Sequence, residues 1–188
     1  MDADILLWIN GHHCEWLDTI MWWTSHPYTW LPLYVLLIGL VAARFRSWKI
    51  ALWIILGFIV AVGMSDVICS GILKPLVCRL RPTHEPALDP VHLVNQYTGA
   101  LYGFCSSHAA NTIAVGLLFS LLYKNKIATS ALMVWVALNC YSRMYLGAHY
   151  PTDVIAGLAV GALMATLVYL GLSRWLLGDG AAARRGGS

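Results

Sequence analysis

Three short segments of the chain carry basic, hydroxyl and imidazole side chains whose types suit phosphate chemistry. Arginine can surround phosphate oxygens with a planar fork of donors, and lysine adds a point charge. Backbone N–H groups at a helix N-terminus contribute oriented donors and a favourable dipole. These properties predict a phosphoryl-binding site whose ligands are Lys74, Arg81, Ser106, Ser107 and Arg143.

Two histidines accompany these residues, and phosphoryl transfer needs a nucleophile and a proton for the leaving oxygen. Asp153 follows His149 by four residues at the start of a predicted helix, where a carboxylate can orient the imidazole for attack. His108 has no acidic residue nearby in the sequence. We therefore predict His149 as the nucleophile, Asp153 as its orienting group and His108 as the general acid.

The spacing of these residues resembles a known family signature. The pattern is Lys74-x6-Arg81-Pro82, then Ser106-Ser107-His108, then Ser142-Arg143-x5-His149-x3-Asp153. It resembles the three-part signature of the type 2 phosphatidic acid phosphatase superfamily, which also includes vanadium haloperoxidases and acid phosphatases. The resemblance covers residues 50–160 and implies a mechanism without metal or cofactor. It implies a covalent phosphohistidine at His149, and it implies the same ligands and the same acid as above.

The second segment departs from the family pattern at two positions. The family commonly has Pro-Ser-Gly-His, whereas this chain has Cys105-Ser106-Ser107-His108. Ser107 in place of glycine keeps the backbone N–H group. Cys105 in place of proline loosens the turn, so the local geometry is expected to differ more than the chemistry.

The composition predicts that membrane helices position this site. The chain has 188 residues, of which 59% are hydrophobic and 11% are charged, whereas soluble domains contain about 25% charged residues. The apolar runs lie near the roughly 20 residues that a bilayer requires. We predict an all-α, polytopic membrane helical bundle of five to six transmembrane helices, with an interfacial helix over residues 3–23. The five clear runs are 28–43, 50–73, 108–123, 127–147 and 152–176.

A single domain is expected over residues 1–178, with its core at 50–160 and a flexible tail at 179–188. Only the connection 74–107 is long enough to carry structure of its own, and a lid is plausible there. Its central part, residues 82–104, and the N-terminal helix are the expected sites of head-group selectivity.

The basic residues predict the orientation of the bundle through the positive-inside rule. With five spans, three basic segments fall on one side: Arg44, Arg46 and Lys49; Lys124 and Lys126; and Arg174, Arg184 and Arg185. The site residues fall at the opposite face, so we expect a bacterial inner membrane protein whose site faces the periplasm or the outside. The net charge of +3, without a basic stripe, argues against a nucleic-acid partner.

Several residues outside the signature have structural interpretations. Arg79 is predicted to be an interface anchor, and Asp66 is predicted to orient a site cation such as Arg143. Loop or interface solvation is the expected state of the remaining histidines, which show no partner at ligand spacing. They are His12, His13, His26, His84 and His92.

The leading hypothesis is an integral-membrane lipid phosphatase acting on a phosphomonoester or pyrophosphate. The family resemblance leaves four substrates open: undecaprenyl pyrophosphate, lipid A phosphate, phosphatidylglycerophosphate and phosphatidate. A lipid phosphotransferase with the same intermediate is one alternative. A catalytically silent lipid-binding membrane protein is another, although intact His108, His149 and Asp153 argue against it. A haloperoxidase is weaker still. The sequence does not specify an oligomeric state.

Overall fold

The computed structural model describes the backbone of residues 1–45, 47–88 and 91–185, and the side chains of those residues as far as Trp175. Arg46 and residues 186–188 of the predicted tail lie outside the described residues. Within the described part the chain is helical, and its only strand-like pairing is the isolated bridge between Leu80 and Tyr102. The predicted all-α class is confirmed. The helices are α1 (Asp2–Gly11), α2 (Glu15–Ser25), α3 (Leu31–Arg44), α4 (Trp48–Asp66), α5 (Lys74–Val77), α6 (Ser107–Tyr123), α7 (Lys126–Tyr145) and α8 (Pro151–Arg185).

Five helical segments coincide with the five predicted spans. A 3₁₀ turn at Pro27–Trp30 leads into α3, and a π-helical segment at Val67–Leu73 joins α4 to α5 without a break. Three segments are long and apolar enough to cross a membrane: Pro27–Arg44, Trp48–Val77 and Pro151–Trp175. Helix α6 is apolar but shorter, and the site end of α7 carries buried polar residues. The backbone of α8 continues to Arg185 and so includes most of the predicted tail.

The N-terminal segment differs from the single interfacial helix that was expected. It forms two helices, because Gly11 ends α1 and the backbone at Cys14 is extended. Asp2 accepts a hydrogen bond from the backbone N–H of Thr152 at 3.1 Å, and Asn10 donates to the carbonyl of Tyr145 at 2.7 Å. These contacts place α1 and α2 across the end of the bundle that carries the predicted site.

Two glycines of α8 allow it to pack closely on α6. A methyl group at Gly157 would collide with the carbonyl of Ser106, and one at Gly161 would collide with the carbonyl of Ala110. Small residues four apart are a recurrent device for close helix contact in membranes. The contact brings the start of α6 against the start of α8, where the N–H of Ser106 donates to the carbonyl of Asp153 at 2.9 Å.

The long connection between α5 and α6 folds back on itself instead of forming an open loop. The N–H of Arg81 donates to the carbonyl of Leu101 at 3.0 Å, and the N–H of Gly103 donates to the carbonyl of Arg79 at 2.8 Å. Short 3₁₀ turns occupy part of the interval between these contacts. The connection therefore has structure of its own, as its length predicted, and it returns Arg81 to the end of the bundle.

Candidate active site

Lys74 lies at the end of the second long span, beside the start of α6. Its Nζ donates to the Oγ of Ser107 at 2.9 Å and to the Oγ of Ser70 at 3.0 Å. Ser70 also contacts the carboxylate of Asp66 at 3.3 Å. Asp66 thus acts toward a site cation, as predicted, but through Ser70 and on Lys74, and not on Arg143, which was the example given.

Arg81 is a buried cation with unused donor capacity. The side chain is 7% exposed and its Nε donates to the carbonyl of Tyr102 at 3.3 Å. Its Nη1 is buried and has no hydrogen-bond partner among the described residues. Gly99, with φ of +69°, and Gly103 leave room for this guanidinium, because a Cβ at either position would press on Arg81. A buried unpaired donor is costly, so this nitrogen is positioned to receive an acceptor from a ligand.

Arg143 is held at the end of α7 by two residues that the sequence did not indicate. Its Nη1 donates to the Oγ of Ser25, and its Nη2 donates to the hydroxyl of Tyr97 at 3.1 Å. The side chain is 3% exposed, and its Nε is without a partner in the described part of the chain. Arg143 therefore keeps one donor available, as Arg81 does.

The segment Ser106–His108 forms the N-terminus of α6. Ser106 is the N-cap, and its Oγ accepts a hydrogen bond from the N–H of Ala109 at 3.4 Å. This contact uses the Ser106 hydroxyl for capping, whereas Ser107 is the serine whose hydroxyl reaches Lys74. His108 follows on the first turn and lines a cavity of about 150 Å³. Helix N-termini of this kind attract anions.

His149 and Asp153 lie across the connection from α7 to α8. The Nδ1 of His149 is 3.7 Å from Oδ2 of Asp153, and the two side chains are almost fully buried. The same carboxylate oxygen accepts the N–H of Tyr150 at 3.0 Å. Gly147, with φ of +64°, allows the turn that carries His149 back toward the bundle. A modest closure would complete the hydrogen bond, as often happens when a ligand binds.

Arg79 is the main correction at this site. We expected an interface anchor, but its Nη1 donates to Oδ1 of Asp153 at 2.9 Å and its Nη2 donates to Asp2 at 2.6 Å. Its guanidinium carbon also lies 3.8 Å from the centroid of the Tyr150 ring. Arg79 is thus the cationic partner of the buried Asp153 carboxylate. No sequence signal indicated this role of Arg79, although it lies close to Arg81 in the sequence, because its partner Asp153 lies 74 residues away.

The charges around His149 keep its imidazole neutral. Burial lowers the pKa of His149 well below the ordinary value, and the nearby cations Arg143, Arg81 and Lys74 lower it further. Burial raises the pKa of the Tyr97 phenol, but Arg143 and Arg81 outweigh burial, so the net pKa is lowered. This concentration of positive charge suits an anion, and it does not suit a bound metal cation.

The structure brings together all eight predicted residues at one end of the bundle. A cavity at this end is bordered by two of them, His108 and Arg143, and by residues that the sequence analysis did not select. Of these, Ser25 and Tyr97 accept hydrogen bonds from Arg143. Trp22 lies in α2, and His26 follows its last residue. Their positions depend on contacts between distant segments, and no local motif marks them. The cavity is lined by Trp22, Ser25, His26, Pro27, Tyr97, His108, Arg143 and Leu146.

Comparisons with known proteins agree with this geometry. The family model described as the PAP2 superfamily matches residues 52–176. The chain is 33% identical to the lipid A 4′-phosphatase of Bacteroides thetaiotaomicron over 171 residues, which cover 90% of this chain and 76% of that protein. It is 34% identical to the lipid A 4′-phosphatase of Porphyromonas gingivalis over 181 residues, which cover 94% and 76%.

A solved structure shares the fold. The transmembrane PAP2 type phosphatidylglycerolphosphate phosphatase of Bacillus subtilis superposes with a TM-score of 0.65 and 25% sequence identity. The match covers 89% of this chain and 82% of that one. The likeness therefore extends over most of the helical bundle.

Proposed function

Because the chain belongs to the PAP2 superfamily, we propose that it is an integral-membrane lipid phosphatase that works through a phosphohistidine at His149. The observation that carries the proposal is the convergence of three cations, one helix N-terminus and two histidines at one end of an apolar bundle. Charged groups at the edge of the hydrocarbon are costly and are retained where they serve a site. This arrangement suits a phosphate on an amphiphilic molecule.

The proposed reaction uses the two histidines of the site in different roles. The imidazole of His149 attacks phosphorus, the bond from phosphorus to the lipid oxygen breaks, and His108 gives its proton to that departing oxygen. A water molecule then gives a proton to His108 and attacks the phosphohistidine, which releases phosphate and restores His149. Asp153 stabilises the positive charge that develops on His149 during the first step.

The cations stabilise the transferring group. Arg81 and Arg143 each retain a buried nitrogen without a partner among the described residues, and Lys74 lies beside the hydroxyl of Ser107. The backbone N–H of Ser107 completes the cradle at the start of α6, whereas the N–H of Ser106 is used by the carbonyl of Asp153. Donors that are fixed before the substrate arrives stabilise the developing charge without reorganisation.

We further propose that the substrate is a lipid A phosphate, with the 4′-phosphate as the first candidate. The two curated relatives described above carry that name and cover most of this chain at 33% and 34% identity. The proposal includes a bacterial inner membrane location with the site toward the periplasm. The distribution of basic residues supports this orientation.

An apolar groove between spans suits the chains of such a lipid. It has a volume of about 590 Å³ and is bordered by α3, α4 and α6. Asn111, one turn after His108, is its polar member, and its side-chain oxygen is buried with no partner in the described part of the chain. A lipid whose phosphate lies at His108 can place an acyl chain in this groove without leaving the bilayer.

Phosphate release by the purified full-length chain in detergent with EDTA tests the proposal. The panel contains lipid A, phosphatidylglycerophosphate, undecaprenyl pyrophosphate and phosphatidate. We expect turnover, fastest with lipid A, and its loss in His149→Gln but not in His12→Gln, whose histidine is exposed directly after α1. A phosphoryl group trapped on the peptide containing His149 would support the intermediate directly.

Two results would contradict the proposal. If His149→Gln retains its thermal unfolding midpoint and also its turnover, the nucleophile is wrong. If phosphate leaves the lipid only when a second lipid acceptor is present, the chain is a phosphotransferase. Preference for another lipid of the panel would overturn the lipid A assignment and leave the reaction class intact.

A further inference from the structure

A cluster of two histidines and one aspartate lies outside the candidate active site. His13 comes from the connection between α1 and α2, Asp18 from α2, and His92 from the long connection before α6. The Nε2 of His92 is 2.9 Å from Oδ2 of Asp18. The rings of His13 and His92 stack with their centroids 3.6 Å apart. The prediction that His92 is merely solvated is wrong, because its ring nitrogen contacts Asp18, whereas His13 is exposed as predicted and stacks on His92.

The ligand atoms of this cluster are close enough to share one ion. One ring nitrogen from each histidine and one carboxylate oxygen all lie within 4.8 Å of one another. A tetrahedral ion with bonds of 2.0–2.2 Å needs separations of about 3.4 Å. His13 is exposed, so rotation of its side chain can provide the remaining movement and also remove the parallel stacking of the rings.

Two partners hold the other ligands in place. The side chain of Asn10 makes two hydrogen bonds to the backbone of His92. It donates to the His92 carbonyl at 3.0 Å and accepts a hydrogen bond from the His92 N–H at 2.8 Å. Asn10 is 2% exposed. The hydroxyl of Tyr145 donates to Oδ1 of Asp18, which leaves Oδ2 directed at His92. Metal ligands are characteristically oriented by such hydrogen-bonding partners.

We propose that His13, Asp18 and His92 form a binding site for a transition-metal ion, with zinc as the best fit. Two imidazoles and one carboxylate are a common zinc ligand set, whereas calcium and magnesium prefer oxygen ligands alone. A water molecule takes the fourth position on the exposed side. The site is separate from the proposed phosphatase chemistry, which uses no metal.

The ion would link the long connection between α5 and α6 to the N-terminal helices α1 and α2. His92 precedes Tyr97 by five residues, and Tyr97 binds Arg143. Val94, between them, packs in one apolar cluster with Ile9 and Met21 of the two N-terminal helices. Zinc therefore stabilises the segment that borders the cavity, and we assign it a structural role.

The test uses the full-length protein in detergent, stripped with EDTA and then freed of the chelator. Zinc chloride is added, unbound metal is removed by gel filtration, and metal per chain is measured by mass spectrometry together with the thermal unfolding midpoint. We expect one zinc per chain, a raised midpoint and no comparable shift with magnesium. His13→Gln and His92→Gln should weaken zinc binding about tenfold or more.

His12→Gln is the matched control, because His12 is the exposed neighbour of His13 but is not a member of the cluster. It should bind zinc as the wild type does. The proposal fails if the reconstituted wild type holds no zinc, if His13→Gln binds zinc with unchanged affinity, or if magnesium raises the midpoint equally. His13→Gln decides the question even if His92→Gln does not fold, because His13 is exposed. Phosphate release in EDTA is a separate readout, so failure of either proposal is distinguishable from failure of the other.

Discussion

At the residue scale, Asp153 organises the surroundings of His149. One of its carboxylate oxygens faces His149 and the N–H of Tyr150, and the other accepts a hydrogen bond from Arg79. A buried carboxylate without a cationic partner would be strongly destabilised. Arg79 therefore offsets the charge of Asp153 beside the histidine, and we expect it to act on the proposed catalysis through Asp153.

Replacing Arg79 should reduce kcat more than it changes KM. In Arg79→Met the carboxylate loses its charged partner, so we expect kcat to fall about 10- to 100-fold, as is typical when a residue that orients a catalytic group is removed. Arg79→Lys should recover part of the loss, because it keeps the charge. Steady-state kinetics on a lipid phosphate measures both constants. An unchanged kcat in Arg79→Met, or a change confined to KM, would argue that Arg79 contacts only the membrane interface or the substrate.

The depressed pKa of His149 predicts how stability depends on pH. The unfolded chain binds a proton on this histidine near its ordinary pKa of about 6.5, whereas the folded protein does not until a lower pH. Stability should therefore fall as pH decreases below about 6.5, by up to about 1.4 kcal/mol per pH unit for this group. Between pH 7.5 and about 5, the thermal unfolding midpoint of His149→Gln should fall less than that of the wild type. Parallel curves would show that His149 is not buried as a neutral group.

At the element scale, the contact of α8 with α6 joins two parts of the signature. The backbone link from Ser106 to Asp153 exists only because α8 approaches α6 closely at Gly157 and Gly161. The π-helical segment Val67–Leu73 also positions a site residue. It carries Ser70, which contacts the hydroxyl of Ser107, and it ends directly before Lys74, which lies beside Ser107. Helix packing therefore positions Lys74, Ser107 and Asp153, whereas the folded connection between α5 and α6 positions Arg81.

A methyl group at Gly161 should separate these two helices. Gly161→Ala places a Cβ against the carbonyl of Ala110, and overpacking of this kind costs about 1–3 kcal/mol or more. We expect a lower unfolding midpoint and reduced turnover. Gly171→Ala, in the same helix, is the control, because no described atom lies within 4 Å of a Cβ built there. Equal midpoints for the two variants would contradict the close-packing account.

At the scale of the whole molecule, a polar end and an apolar body have separate roles. The cations and histidines meet at one end, while the opposite end carries the contact of Trp53 with Trp175, whose ring centroids are 5.7 Å apart. Between them lies the groove of α3, α4 and α6. This division suits a substrate whose phosphate and chains require different surroundings.

Filling the groove should affect long-chain substrates selectively. Gly63 lines it, and within the described residues no atom lies within 4 Å of a Cβ built at this position. Gly63→Phe should raise KM several-fold for a long-chain lipid phosphate and leave hydrolysis of a short-chain analogue unchanged. Gly39→Phe on α3 is the control, since Gly39 is not a member of the groove lining. Equal effects on both substrates would place the acyl chains elsewhere.

The proposed orientation can be read from a natural cysteine. Cys78 is exposed and lies at the end of the bundle that holds the site. A membrane-impermeant maleimide should label it in intact bacteria lacking an outer-membrane barrier, in a Cys14→Ser background. A cysteine placed at Lys124, in a Cys14→Ser/Cys78→Ser background, should react only after the inner membrane is permeabilised. The reverse pattern would invert the orientation.

The sequence by itself determined the class of fold, the family and the identity of the signature residues. Long apolar runs specify membrane helices, because a bilayer requires an uninterrupted apolar length that is read locally. The family match confirms the resemblance on which the phosphatase hypothesis rests. The roles of His149, His108 and the phosphate ligands stay predictions for the experiments above.

Only the tertiary structure decided which distant side chains support that signature. Arg79 pairs with Asp153, Lys74 donates to Ser107, and Ser25 binds Arg143 across 118 positions of sequence. Such pairs form because tertiary packing brings together segments with no local periodicity in common. The meeting of His13 with His92 has the same origin. Chain spacing constrains neighbours within a helix, but contacts between helices follow from how the whole bundle closes.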